Sequence, residues 1–199
     1  MEKFNLNGQW KITSNTYDVV GEVPGSVYSA LLANGKIEDP FYRGNEKNAL
    51  AIMDEDFTFT KEFEYVKKSD SVLLVCEGLD TLCDLYINGK FLAHTDNMHR
   101  AYYFEVAPYL VDGKNEIKAV FSSADAYIKA KRAEKELADG SGATLVGFSH
   151  LRKAFYMNGW DWGPIMPDAG IWKDIYLIDG TLPRITDVRI LQRHDEGKV

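Results

Sequence analysis

The densest concentration of chemically capable side chains is the stretch Phe155-Tyr156-Met157-Asn158-Gly159-Trp160-Asp161-Trp162-Gly163-Pro164. Indole rings offer flat, weakly polar faces that cover the C–H face of a sugar, and a carboxylate between them can accept hydrogen bonds from two adjacent hydroxyls. The pattern therefore suits carbohydrate. The same residues also fit an architectural reading, with both Trp in the core and Asp161 capping the turn before Gly163-Pro164, and composition does not separate the two. A second polar cluster, Thr95-Asp96-Asn97-Met98-His99-Arg100, is either another set of hydrogen-bonding groups near the Trp residues or an Asx-type turn. Hydrolysis of a glycosidic bond needs two carboxyl groups about 5 to 10 Å apart. Asp161 and Asp168 could be proposed as that pair, but their separation is not set by sequence. Gly78-Leu79-Asp80 reads as a strand-end turn in which Asp80 binds nearby backbone amides.

Other chemistries find less support. There is no Ser-His-Asp signature and no phosphate-binding glycine loop. Cys76 and Cys83 make no disulfide framework, lack the paired spacing of a zinc site, and read as buried thiols. His94 and His99 are too few ligands to hold a metal alone, so no metal and no cofactor are expected. With 23 basic against 30 acidic side chains the net charge is −7, which argues against nucleic acid as a partner, because that binding is driven by Lys and Arg releasing counterions from phosphates. No run approaches the roughly 20 apolar residues of a membrane span. Residues Met1 to Gly8 contain no apolar signal core, so the expected location is cytoplasmic.

The elements that must position these groups are mostly strands. The 199 residues include 10 Phe, 11 Tyr, 4 Trp and 16 Gly, and aromatic runs separated by turn residues are typical of sheets. Phe57, Phe59, Phe63 and Tyr65 alternate with polar residues, while Lys61 interrupts their face and suggests a nearby sheet edge. Ser71–Glu77 reads as a buried strand. Cys83–Ile87 and Lys90–Leu92 flank Asn88-Gly89, a strong hairpin signal. Tyr102–Val106, Glu116–Phe121 and Trp172–Ile178 supply further strands, and Ile185–Leu191 opens another. At least seven strands with short turns make an all-β sandwich. Two segments read as helices. Gly25–Gly35 has Val27, Ala30 and Leu31 on one face and Asn34-Gly35 at its end. About Ala124 to Ala138, with Tyr127, Ala130, Glu134 and Leu137 on one face, is followed by a flexible exit through Asp139-Gly140-Ser141-Gly142.

Taken together, Leu6-Asn7-Gly8-Gln9-Trp10, Val23-Pro24-Gly25-Ser26-Val27, Asp39-Pro40-Phe41-Tyr42-Arg43-Gly44-Asn45-Glu46, Gly78-Leu79-Asp80, Ile87-Asn88-Gly89, Thr95-Asp96-Asn97-Met98, Arg152-Lys153-Ala154, Gly159-Trp160-Asp161-Trp162-Gly163-Pro164 and Gly170-Ile171-Trp172 resemble, in order, the amino-terminal domain of β-mannosidases of glycoside hydrolase family two. The resemblance spans nearly the whole chain, and the Trp-Asp-Trp-Gly-Pro stretch is its most branch-specific part. It implies a galactose-binding-domain-like jelly-roll β-sandwich with one or two short helical insertions over residues 1–180. Residues 181–199 would then be a linker and the first strand of a truncated immunoglobulin-like domain.

The resemblance also implies a parent enzyme that is a retaining exo-β-mannosidase, removing terminal β-linked mannose with two glutamates carried by a TIM barrel. That barrel is absent here, no residue of this chain matches either glutamate, and the fragment alone is expected to be inactive. Carried over residue by residue, Asp161 would accept hydrogen bonds from mannose hydroxyls, Trp160 would wall the pocket, and Asn97 is a weaker third substrate-binding candidate; Trp162 would be structural. Two other readings compete: a self-sufficient carbohydrate-binding module with Trp160 and Trp162 as an exposed platform, and a spacer that stabilises the barrel. An apolar patch around Trp160 is expected wherever barrel-facing surface is uncovered.

Overall fold

The computed structural model describes residues 2–138, 144–180, 185 and 187–195. In chain order its elements are β1 (Glu2–Asn5), β2 (Gly8–Thr13), β3 (Asp18–Val23), α1 (Val27–Ala33), α2 (Glu46–Ile52), β4 (Phe57–Tyr65), β5 (Val72–Cys76), β6 (Leu79–Asp80), β7 (Cys83–Ile87), β8 (Lys90–Thr95), β9 (Tyr102–Glu105), β10 (Gly113–Phe121), α3 (Ala124–Glu134), β11 (Gly170–Ile171) and β12 (Ile175–Asp179). The strands form a six-stranded sheet in the order β3-β2-β4-β10-β7-β8, a four-stranded sheet in the order β1-β12-β5-β9, and a short β11-β6 pair.

Alternation explains how the sheets bury their faces. In β4, Phe57, Phe59, Phe63 and Tyr65 are buried, and β10 places Ile117, Ala119 and Phe121 beside them. Phe59 and Phe121 meet edge to face at 5.2 Å. From the opposite sheet come Val72, Leu74, Cys76, Ile175 and Leu177, all in the same apolar core. The sheets touch where Phe4 of β1 packs 5.9 Å from Phe63 and 5.2 Å from Tyr65, and where the Tyr65 hydroxyl donates to Asp179 at 2.6 Å. This is the expected all-β sandwich.

Several local expectations hold and others change. Asn88 and Gly89 take φ of 50° and 75° between β7 and β8, the geometry that makes this dipeptide a hairpin turn. Helix α1 starts at the Ser26–Ser29 capping box and ends at Asn34. Lys61 does not mark a sheet edge, since β4 is central; it lies just beyond the last β2 pair, where its ammonium donates to the carbonyls of Asn7 (3.1 Å) and Gln9 (2.9 Å). Helix α3 stops at Glu134 and buries Ile128 rather than the face of Tyr127, Ala130, Glu134 and Leu137; its exit, 139–142, lies outside the described residues. A third helix, α2, was not anticipated, because no side chain caps its start and only Ala49 and Ile52 are buried. Tertiary contact holds it, the Tyr28 hydroxyl donating to the Ala49 carbonyl at 2.8 Å. Of the strand expected over 185–191, Ile185 and 187–191 are described; they are exposed and without strand assignment, and residue 186 lies outside the described residues.

Candidate functional site

The Trp-rich stretch forms a loop pinned at its base. A 3₁₀ turn at Phe155–Met157 precedes it, and antiparallel bridges join Asn158 to Ile165 and Thr144 to Gly159. The Leu145 amide donates to the Asn158 carbonyl (2.7 Å) and the Met166 amide to the Met157 carbonyl (2.9 Å). Gly159 and Trp160 both have positive φ, 87° and 107°. For a bulky residue this is a disfavoured conformation that persists only where its surroundings impose it. The consequence is a tight reversal that turns Trp160, Asp161 and Trp162 outward.

Outward placement excludes the core reading of the two indoles. Trp160 is 39% and Trp162 53% exposed, so neither is a core residue. Their rings stack at 5.6 Å with 26° between planes, Phe155 meets Trp162 edge-on at 5.3 Å, and Phe148 meets Phe155 at 4.6 Å. This row of rings stiffens the loop. Asp161 is exposed and has no hydrogen-bond or ion-pair partner among the described residues. An exposed carboxylate with no partner among the described residues can accept two hydroxyl hydrogen bonds without first breaking an internal contact.

Beside the loop lies a cleft of about 720 Å³, bordered by Tyr28, Phe41, Tyr156, Met157, Trp162 and Asp168 among others. Trp160, Asp161 and Asn97 are not in its lining. The Ser26 and Ser29 hydroxyls on its wall are already bonded to each other at 3.2 Å.

Asp168 does not stand free beside Asp161 as a second carboxylate. Its Oδ1 accepts from the Tyr28 amide in the first turn of α1 (3.2 Å) and from its own neighbour Ala169 (2.8 Å). Burial pushes its pKa up to about 6, outweighing hydrogen bonds from Ser26, Ala169 and Tyr28 and the nearby Lys153 ammonium, which act the other way. Asp80 also departs from expectation. Leu79–Asp80 is a strand paired with Gly170–Ile171, and the buried Asp80 carboxylate accepts from Lys153 Nζ (2.5 Å) and from the Thr81 hydroxyl rather than from backbone amides. The signal was available in Arg152-Lys153-Ala154 preceding an aromatic loop, but no local pattern reveals a partner 73 residues away.

Asn97 builds the Asx turn, its Oδ1 accepting from the His99 amide at 2.9 Å. It also bridges Arg152, and the Met98 amide donates to the Arg152 carbonyl (3.1 Å), so the Thr95–Arg100 segment packs on the chain leading into the Trp loop. Both thiols are buried, and burial pushes the pKa of each upward. Among the described residues no helix is long and apolar enough to cross a membrane.

The fold is a two-sheet β-sandwich that turns an aromatic, carboxylate-bearing loop outward. The sequence profile described as "Glycosyl hydrolase 2 galactose-binding domain-like" matches residues 10–173, and the chain belongs to that family. It is 32% identical over 186 residues to the β-mannosidase of Mus musculus, covering 86% of this chain and 21% of that protein. It is 34% identical over 192 residues to β-mannosidase B of Emericella nidulans, covering 90% and 22%. The crystal structure of a β-D-mannosidase from Dictyoglomus thermophilum superposes with a TM-score of 0.86 at 34% identity, over 94% of this chain and 24% of that one. The chain thus spans about a fifth of the length of the curated relatives it matches, and it is similar to the amino-terminal region of β-mannosidases.

Proposed function

We propose that this domain completes the sugar pocket of a retaining exo-β-mannosidase, with the Trp160–Trp162 loop projecting toward a TIM barrel that carries both catalytic glutamates. In this reading Asp161 accepts hydrogen bonds from hydroxyls of the terminal mannose, Trp160 walls the pocket, and Trp162 buttresses Trp160 from behind. Asn97 has its Nδ2 donors and one remaining Oδ1 lone pair to offer, because its Oδ1 already accepts from the His99 amide in its own turn. The observation that carries the reading is the exposed Asp161 carboxylate, without a partner among the described residues, on a pinned loop. Binding energy from hydroxyls remote from the reacting bond can orient and distort the sugar, so such a contact contributes to rate as well as affinity.

A self-sufficient binding module is less well supported. Stacking at 5.6 Å leaves each indole one face covered by the other, whereas a platform needs rings side by side. The test is hydrolysis of p-nitrophenyl β-D-mannoside by this chain and by its complete natural reading frame. An inert chain and an active complete protein agree with the proposal; an active chain would place the two carboxylates within these residues and overturn it.

A further inference from the structure

We infer that Lys153 is a positioning residue whose buried ammonium fastens both ends of the Trp160–Asp161–Trp162 loop to the sandwich. The inference rests on the pocket reading only for its importance to sugar, since the geometry stands alone. Lys153 and Asp80 side chains are 2% and 3% exposed. The ammonium donates to Asp80 Oδ2 at 2.5 Å and to the Asp168 carbonyl oxygen at 2.5 Å. Lys153 lies just before the loop and Asp168 just after it, 15 residues on. Asp80 belongs to β6, which pairs with β11 immediately beyond Asp168. One charged group therefore holds the outgoing chain, the returning chain and the strand beneath them. The adjacent Ala154 amide donates to the sulfur of the buried Met98 at 2.9 Å, which fixes the same point from the Thr95–Arg100 side.

Energetics indicate geometry rather than stability as the purpose of this pair. Removing two charges from water is costly, and replacing a buried ion pair by neutral groups of similar shape is often neutral or stabilising. The sandwich sheets pair and pack through residues that do not involve Lys153. What the pair supplies is a directional three-way tie that an apolar contact could not impose at one position.

The test is the double variant Lys153→Met with Asp80→Asn, which removes both charges of the pair together. The stacked indoles of Trp160 and Trp162 are close enough to give an exciton couplet in circular dichroism, assigned by subtracting the spectrum of Trp160→Phe. The double variant is expected to unfold cooperatively, to lose at least half of the couplet well below its Tm, and to show at least twofold faster acrylamide quenching of the exposed indoles. A merely structural pair would shift Tm and leave the couplet of the folded protein intact, and that result would overturn the inference. So would a variant with no cooperative unfolding, because the pair would then belong to the sandwich itself. In the complete natural reading frame, a lost couplet with unaltered mannoside hydrolysis would support the positioning role while counting against the pocket reading.

Discussion

Asp168 gives the stability of this domain a pH dependence opposite to that of most carboxylates. The perturbation is Asp168→Asn, which keeps an oxygen in place to accept from the Tyr28 and Ala169 amides and removes the ionisation. In the folded chain burial holds the carboxyl pKa up to about 6, against 3.8 for the free group. The unfolded chain therefore releases its proton near pH 4 while the folded chain keeps it to about pH 6. Between those values the folded state binds more protons, so stability falls as pH rises and levels off above pH 6. At about 1.4 kcal/mol per pH unit, the interval carries about 3 kcal/mol, an upper figure because the side chain is only partly enclosed. Asp179 works in the other sense. Although burial raises its pKa, hydrogen bonds from the Tyr65 and Ser69 hydroxyls and the Lys68 amide prevail and hold it low. Its stabilisation is present above pH 4 and lost as pH falls, so the two contributions are separated by comparing proteins rather than pH values. Urea unfolding of wild type and Asp168→Asn at intervals from pH 3.5 to 7.5 supplies the difference. The variant should gain on wild type by about 2 to 3 kcal/mol between pH 4 and pH 6.5. A difference that is flat, or that moves toward wild type with rising pH, would refute the reasoning.

Two further perturbations follow from packing. A Cβ on Gly78 would lie 2.5 Å from Nε1 and 2.8 Å from Cε2 of Trp172, so Gly78→Ala should cost about 1 to 3 kcal/mol, read from the urea midpoint; an unchanged midpoint would show that the indole moves aside freely. Cys76 and Cys83 are fully buried with raised pKa values, so neither should react with a thiol-specific disulfide reagent until urea unfolds the chain, and rapid modification of the native protein would contradict the burial.

What the sequence disclosed, and what it withheld, divides along the distance between interacting residues. The alternation of Phe57, Phe59, Phe63 and Tyr65, the Asn88-Gly89 turn and the Asn34-Gly35 helix end are local signals, each set by neighbours within a few positions. The aromatic loop was legible as a chemical cluster, but whether Trp160 and Trp162 face outward depends on bridges from Asn158 to Ile165 and from Gly159 to Thr144. Helix α2 was missed because its stabilising contact comes from Tyr28 of another helix. Lys61 seemed to break a face, yet it satisfies carbonyls 52 and 54 residues away. Asp80 differs from its sequence reading for the same reason, and the sequence leaves the place of Asp168 open, since Lys153 and the α1 amides reach them through space and not along the chain.

The most direct test of the central claim is the steady-state hydrolysis of p-nitrophenyl β-D-mannoside by the complete natural reading frame with and without Asp161→Ala. A hydrogen bond to a charged group contributes about 1.5 to 3 kcal/mol, and a loss of 1.4 kcal/mol is already tenfold. The account predicts a kcat/KM lowered at least tenfold, with unfolding of the variant unchanged because Asp161 has no partner to lose among the described residues. Kinetics equal to wild type would contradict it, and would leave the loop a structural feature of the sandwich.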